Sequence, residues 1–134
     1  MEKTDILAPE EEPLPVKTVL IVEDDADIAD ILVHALKDET PYQVIHVQDG
    51  FAALKVVRTI IPDLILLDYL LPNMDGLECV ELLRAITPIE QAPIILMSAN
   101  LPRRAKERKD LLFLLEKPFE LDLLLLQIKQ ILDT

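Results

Sequence analysis

Four stretches of this chain are short, continuous and apolar, and each stops at residues of very different chemistry. Thr18 to Val22 (TVLIV) runs into Glu23, Asp24 and Asp25; Leu64 to Leu67 (LILL) into Asp68; Pro93 to Met97 (PIILM) into Ser98; and Leu111 to Leu115 into Glu116 and Lys117. Nothing else in the sequence restricts the fold as strongly. Runs of four or five residues are too short for helices, and a strand that is apolar at every position must be covered on both faces.

The intervening segments supply that cover. Asp27 is placed to cap a helix in which Ile28, Ile31, Leu32, Ala35 and Leu36 form one apolar stripe, and Pro41 closes that region. Gln43 to Val47 alternates as a strand, Asp49-Gly50 reads as a turn, and Ala53, Leu54 and Val57 give a second helical face that ends before Pro62. Pro72 to Gly76 reads as a loop, followed by a third helix with Leu77, Val80, Leu83 and Arg84. Residues 102–110 are basic and predict a helix, and Glu120 to Leu132 predicts a strong final one. Strand and helix alternate five times. The expected fold is α/β, doubly wound, with a parallel sheet covered by helices on both faces.

Composition sets the remaining bounds. A length of 134 residues suits one domain, and 51% hydrophobic residues suffice for a core. Residues 1–16 differ: Pro9, Pro13 and Pro15 interleave with Glu10, Glu11 and Glu12, which predicts a mobile acidic tail ahead of a domain at 17–134. The net charge of −12 disfavours contact with nucleic acid or anionic lipid. The lone Cys79 has no intrachain disulfide partner, no signal peptide is readable, and every apolar run is far shorter than a membrane span, so a cytoplasmic location is expected.

In open parallel sheets the reactive crevice lies at the carboxyl ends of the strands. Glu23, Asp24, Asp25, Asp68, Ser98 and Lys117 all fall there. Carboxylates gathered so closely repel one another unless a cation lies between them, and hard oxygen ligands suit Mg²⁺. An Asp beside such a cation and a Lys is a plausible nucleophile toward a phosphoryl group, because both charges offset the repulsion between carboxylate and phosphoryl oxygens.

With these residues in view, the sequence resembles the receiver domain of two-component response regulators over residues 17–133. The matching elements are IVEDD at 21–25, QDG at 48–50, PDLILLDYLLPNMDG at 62–76, MSA at 97–99 and EKPF at 116–119. The resemblance implies a flavodoxin-like sheet of order 2-1-3-4-5 and a stand-alone receiver. It implies that Asp68 accepts a phosphoryl group from a sensor histidine kinase or a histidine phosphotransfer protein. Glu23, Asp24, Asp68 and the backbone carbonyl of Leu70 would hold Mg²⁺; Ser98 and Lys117 would bond the phosphoryl oxygens; and Lys117–Pro118 would be cis. Leu70 and Asn100 would flank the path of attacking water, and the apolar Leu70 implies a long-lived aspartyl phosphate. The output implied is contact with a downstream protein, with homodimerisation allowed and no enzyme activity beyond slow self-phosphorylation and dephosphorylation. Two departures stand out. Leu114 occupies the place of the aromatic that rotates as a switch in many relatives, and the segment from Ser98 to Lys117 is short, which implies a short or displaced fourth helix.

Other readings compete. A haloacid dehalogenase-like phosphatase would need an Asp where Leu70 stands, and an FMN carrier would need a hydroxyl- and glycine-rich loop in place of Glu23, Asp24 and Asp25. A receiver with phosphorylation-independent output, or the N-terminal module of a larger regulator, remains open. Asp25 reads as a surface or capping residue, His34 and His46 as structural or exposed, and Cys79 as a packed small hydrophobe. The run Arg103, Arg104, Lys106, Arg108 and Lys109 reads either as a solvated face or as a contact for an acidic partner or for the acidic tail.

Overall fold

The computed structural model describes residues 16–86, 89, 91–107 and 112–133. The acidic, proline-bearing stretch at 1–15 and the basic residues Arg108 and Lys109 lie outside them. Over the described residues the order is β1 (Thr18–Val22), α1 (Ala26–Glu39), β2 (Gln43–Val47), α2 (Gly50–Val56), β3 (Leu64–Asp68), α3 (Gly76–Arg84), β4 (Ile94–Ser98), α4 (Arg103–Lys106), β5 (Leu112–Glu116) and α5 (Leu121–Leu132). The strands form one parallel sheet in the order β2-β1-β3-β4-β5. The expected doubly wound fold and strand order are therefore present.

Period-two alternation sorts the side chains onto two faces. Leu20, Val22, Ile65, Leu67, Ile94 and Leu96 pack with Ala53 of α2, Leu77, Val80 and Leu83 of α3, and Ala105 of α4. Val19, Ile21, Leu64, Leu66, Ile95 and Met97 pack with Leu32 and Leu36 of α1 and Leu124 and Ile128 of α5. The central strands β1, β3 and β4 are buried at every position, which is why they read as unbroken apolar runs. The edge strands β2 and β5 are only partly covered.

Local differences from the sequence expectation have identifiable causes. Asp25, not Asp27, caps α1: it is extended, and its carboxylate accepts the N–H groups of Asp27 and Ile28. Ile31 falls off the buried stripe and is exposed, because Ala29, Leu32 and Leu36 meet the sheet instead. Asp49 is an N-cap, so Asp49-Gly50 begins α2 rather than making a free turn. Strands β3, β4 and β5 each reach one residue further than their apolar runs, to Asp68, Ser98 and Glu116. The helix expected over 102–110 is a single turn, Arg103–Lys106, among the described residues. No helix among the described residues is long and apolar enough to cross a membrane.

Candidate functional site

The strand order places a topological switch between β1 and β3, since the chain leaves β1 toward β2 on one side and returns to build β3 on the other. Crevices form at such points. Alternation continued past the strand ends gives Glu23 the parity of Ile21, Asp68 that of Leu66 and Lys117 that of Leu115, so all three lie toward the α1 and α5 side. Ser98 follows Leu96 and has the opposite parity.

Glu23 and Asp68 are buried, whereas Asp24 is exposed. Lys117 Nζ lies 3.0 Å from Asp68 Oδ1 and 3.9 Å from Glu23 Oε1. The Lys117 N–H donates to the Ser98 carbonyl at 2.9 Å, which ties the end of β5 to β4, and the Lys117–Pro118 peptide is cis. Asp68 is carried on the last residue of β3, and the loop beyond it folds back against Gly76. The Gly76 N–H donates to the Tyr69 carbonyl at 2.7 Å, and a Cβ on Gly76 would stand 2.7 Å from Tyr69 Cα and 3.1 Å from the Asp68 carbonyl oxygen. Glycine is required there by proximity. The loop itself turns at Asn73, whose φ of 68° lies in the left-handed region that Asn tolerates better than most residues. A capping box then starts α3: the Asp75 carboxylate accepts the Glu78 N–H, and the Glu78 carboxylate accepts the Asp75 N–H.

Glu23 is fastened at three points. Its N–H donates to the Val47 carbonyl at 3.1 Å, its carbonyl accepts from His46 Nε2 at 2.7 Å, and its Oε2 accepts the Asp25 N–H at 3.2 Å. Its Oε1 is buried and has no hydrogen-bond partner among the described residues. Burial pushes the Glu23 carboxyl up to about 7, helped by the charges of Asp68 and Asp24 and opposed by the Asp25 N–H and Lys117. One oxygen each from Glu23, Asp24 and Asp68 lies within 4.8 Å of the others. An orphaned buried oxygen among three clustered carboxylates fits a hard divalent cation, which would supply the missing partner.

Ser98 and Leu70 meet at a groove by the carboxyl ends of β3 and β4. Ser98 Oγ accepts the Asn100 N–H at 3.1 Å, and Ser98, Asn100, Tyr69 and Leu70 line a groove of about 420 Å³. The Leu70 side chain is 70% exposed. His34 is exposed, its Nδ1 2.7 Å from the Asp30 carbonyl of its own helix, remote in role from the cluster. His46 is exposed as expected, but its hold on the Glu23 carbonyl is not legible in the sequence. Only the pairing of Ile21 with His46 puts the two on one face. Cys79 is buried, and burial pushes its thiol up to about 12, so it packs as a neutral group. Leu114 is partly buried against the α2, α3 and α4 side of the core.

Fold and site together define a class: a parallel α/β domain with an acidic, cation-fitting crevice at its topological switch and a lysine reaching across it. The chain belongs to the response regulator receiver domain family, whose pattern it matches over residues 19–129. Over 82 residues, 61% of its length, it is 38% identical to the DNA-binding response regulator MtrA of Mycolicibacterium paratuberculosis, and that match covers 35% of the regulator. The chain thus spans about a third of the length of the curated regulators it matches. Among solved structures, the signal receiver domain of a signal transduction histidine kinase from Syntrophus aciditrophicus superposes with a TM-score of 0.79 at 31% identity, over 88% of this chain and 91% of that one. The receiver domain of the sensor histidine kinase PA1611 from Pseudomonas aeruginosa, solved with a magnesium ion coordinated in its active site cleft, superposes with a TM-score of 0.74 at 26% identity, over 90% and 100% of the two chains.

Proposed function

We propose that this receiver takes a phosphoryl group from a phosphohistidine onto Asp68 and works as a phosphorylation switch or relay intermediate in two-component signalling. A sensor histidine kinase or a histidine phosphotransfer protein is the donor, a downstream protein is the recipient of the signal, and the cytoplasm is the setting. The observation that carries the reading is Lys117 Nζ at 3.0 Å from Asp68 Oδ1, beside a buried Glu23 oxygen with no hydrogen-bond partner among the described residues.

Asp68 attacks phosphorus through a carboxylate oxygen; the new O–P bond forms as the N–P bond to the donor histidine breaks, and its electron pair returns to the imidazole. Glu23, Asp24, Asp68 and the Leu70 carbonyl are the groups to hold Mg²⁺, which when bound offsets the negative charge of the phosphoryl oxygens. Lys117, now on Asp68, is placed to pair with a phosphoryl oxygen after transfer. The Ser98 hydroxyl, one strand away, supplies a hydrogen bond once its loop turns toward the new charge. Labelling with a small phosphodonor tests this. Wild type should be labelled only with Mg²⁺ present and Asp68→Asn should not be labelled; equal labelling of both would overturn the proposal. The exposed Leu70 offers no polar group to position water, so Leu70→Asn should shorten the lifetime of the phosphoryl group, and an unchanged lifetime would contradict that role.

One observation favours an atypical output. Helix α4 is a single turn and Leu114 stands on β5 where a switching aromatic would be. If the usual rotation is absent, amide shifts on phosphorylation concentrate at Glu23 to Asp25 and around Asp68, and stay small through Arg103 to Glu107. Large shifts throughout α4 would restore the ordinary switch.

A further inference from the structure

The contact between His46 and Glu23 lies outside the groups assigned above. In a parallel ladder the bond after Glu23 N–H to Val47 C=O would bring the Asp49 N–H to the Glu23 carbonyl. Asp49 instead accepts the Ala52 N–H through its side chain and starts α2, so β2 parts from β1 one bond early. The His46 imidazole takes the vacated place: Nε2 lies 2.7 Å from the Glu23 carbonyl oxygen. A carbonyl only accepts, so Nε2 carries the hydrogen. Glu23 is then held on both sides of its own Cα by the last two residues of β2, from Val47 to its N–H and from His46 to its carbonyl.

This grip reaches the next residue of the chain. The Glu23 carbonyl belongs to the peptide whose nitrogen is that of Asp24, so the hydrogen bond from His46 fixes the plane on which Asp24 departs. It acts on both carboxylates contributed by the β1–α1 loop, one buried and one exposed. Groups that orient ligands without touching the metal typically change affinity by about 10- to 100-fold when removed. His46 is itself exposed at the rim of an edge strand, so its loss leaves no cavity in the core.

We infer that His46 is a positioning residue for the divalent-cation site, acting through the Glu23–Asp24 peptide. This rests on the reading that Glu23, Asp24 and Asp68 hold Mg²⁺. The test is Mg²⁺ titration by calorimetry, at one fixed pH, of wild type, His46→Leu and His46→Gln, each also melted in EDTA. Leucine removes the donor; glutamine returns an amide N–H at comparable reach. His46→Leu should weaken Mg²⁺ binding by about tenfold, His46→Gln should recover to within about threefold of wild type, and the three melting midpoints should agree to within a few degrees. Equal affinity in wild type and His46→Leu would overturn the role of His46 while leaving the cation site standing. So would weakened binding that His46→Gln fails to restore. A wild-type chain that binds no Mg²⁺ would overturn the underlying reading and this inference together.

Discussion

At the carboxyl ends of β1 and β3 the buried Glu23 and Asp68 are tied to neighbouring elements, whereas Asp24 is exposed. Glu23 is gripped by β2 and by Asp25, Asp68 is fixed above the Gly76 contact, and Lys117 spans the gap between them. The β4–α4–β5 corner is built differently. Helix α4 is four residues long and lacks a side-chain cap, β5 is only partly covered, and the ion pair at 3.6 Å joins an exposed Arg104 to a partly buried Asp75. The two regions share one sheet, yet the first gathers buried charge, while α4 in the second meets the core only through Ala105, with Leu101 just before it. On the proposed function, chemistry and output would rest on these two differently built parts of the fold.

Substitutions separate the two regions by the size of their effects. Lys117→Met should cost the most, about 3 kcal/mol in denaturant unfolding with EDTA present, because it leaves the buried Asp68 carboxylate without its cation. A loss near that of an exposed pair would show that the cluster is more hydrated than its burial indicates. The buried Glu23 gives a pH signature in the metal-free protein. Its carboxyl sits at about 7 in the fold, against an ordinary value of 4.5. Between those values the folded chain holds a proton that the unfolded chain releases, so stability should fall as pH rises through that window, by on the order of 3 kcal/mol in total. Glu23→Gln should flatten the fall; a profile that rises over the same interval would contradict the burial argument.

Gly76→Ala comes next, at about 2 kcal/mol, since the added Cβ would meet Tyr69 Cα and Leu96 Cδ1, each at 2.7 Å. A neutral outcome would mean that the Asp68 loop yields more readily than its backbone contacts imply. In the other region Arg104→Ala should cost no more than about 0.5 kcal/mol, because Arg104 is 66% exposed and its pair is screened by water. A cost above about 1 kcal/mol would make α4 a second well-anchored region and erase the contrast.

The same division governs what the sequence discloses. Continuous apolar runs announce strands buried on both faces, so β1, β3 and β4 and the carboxylates and hydroxyl at their ends are readable without coordinates. The cap at Asp25 is harder to place, because Asp25 and Asp27 both lie near the start of α1 and only the extended backbone at Asp25 decides between them. Helix α4 is legible only in part: the basic run at 102–110 predicts a helix and the short segment between Ser98 and Lys117 a curtailed one, while its bounds follow from packing, since only Ala105 of its described turn is buried. The His46 contact depends on which residue of β2 faces Ile21, a register no local pattern encodes.

The most direct measurement locates the phosphoryl group itself. The protein is phosphorylated by a small phosphodonor with Mg²⁺ or with EDTA, digested, and the modified residue identified by tandem mass spectrometry. The account predicts modification of Asp68 alone, present with Mg²⁺ and lost with EDTA. A phosphoryl group on another residue, or one on Asp68 that forms equally well in EDTA, would contradict it.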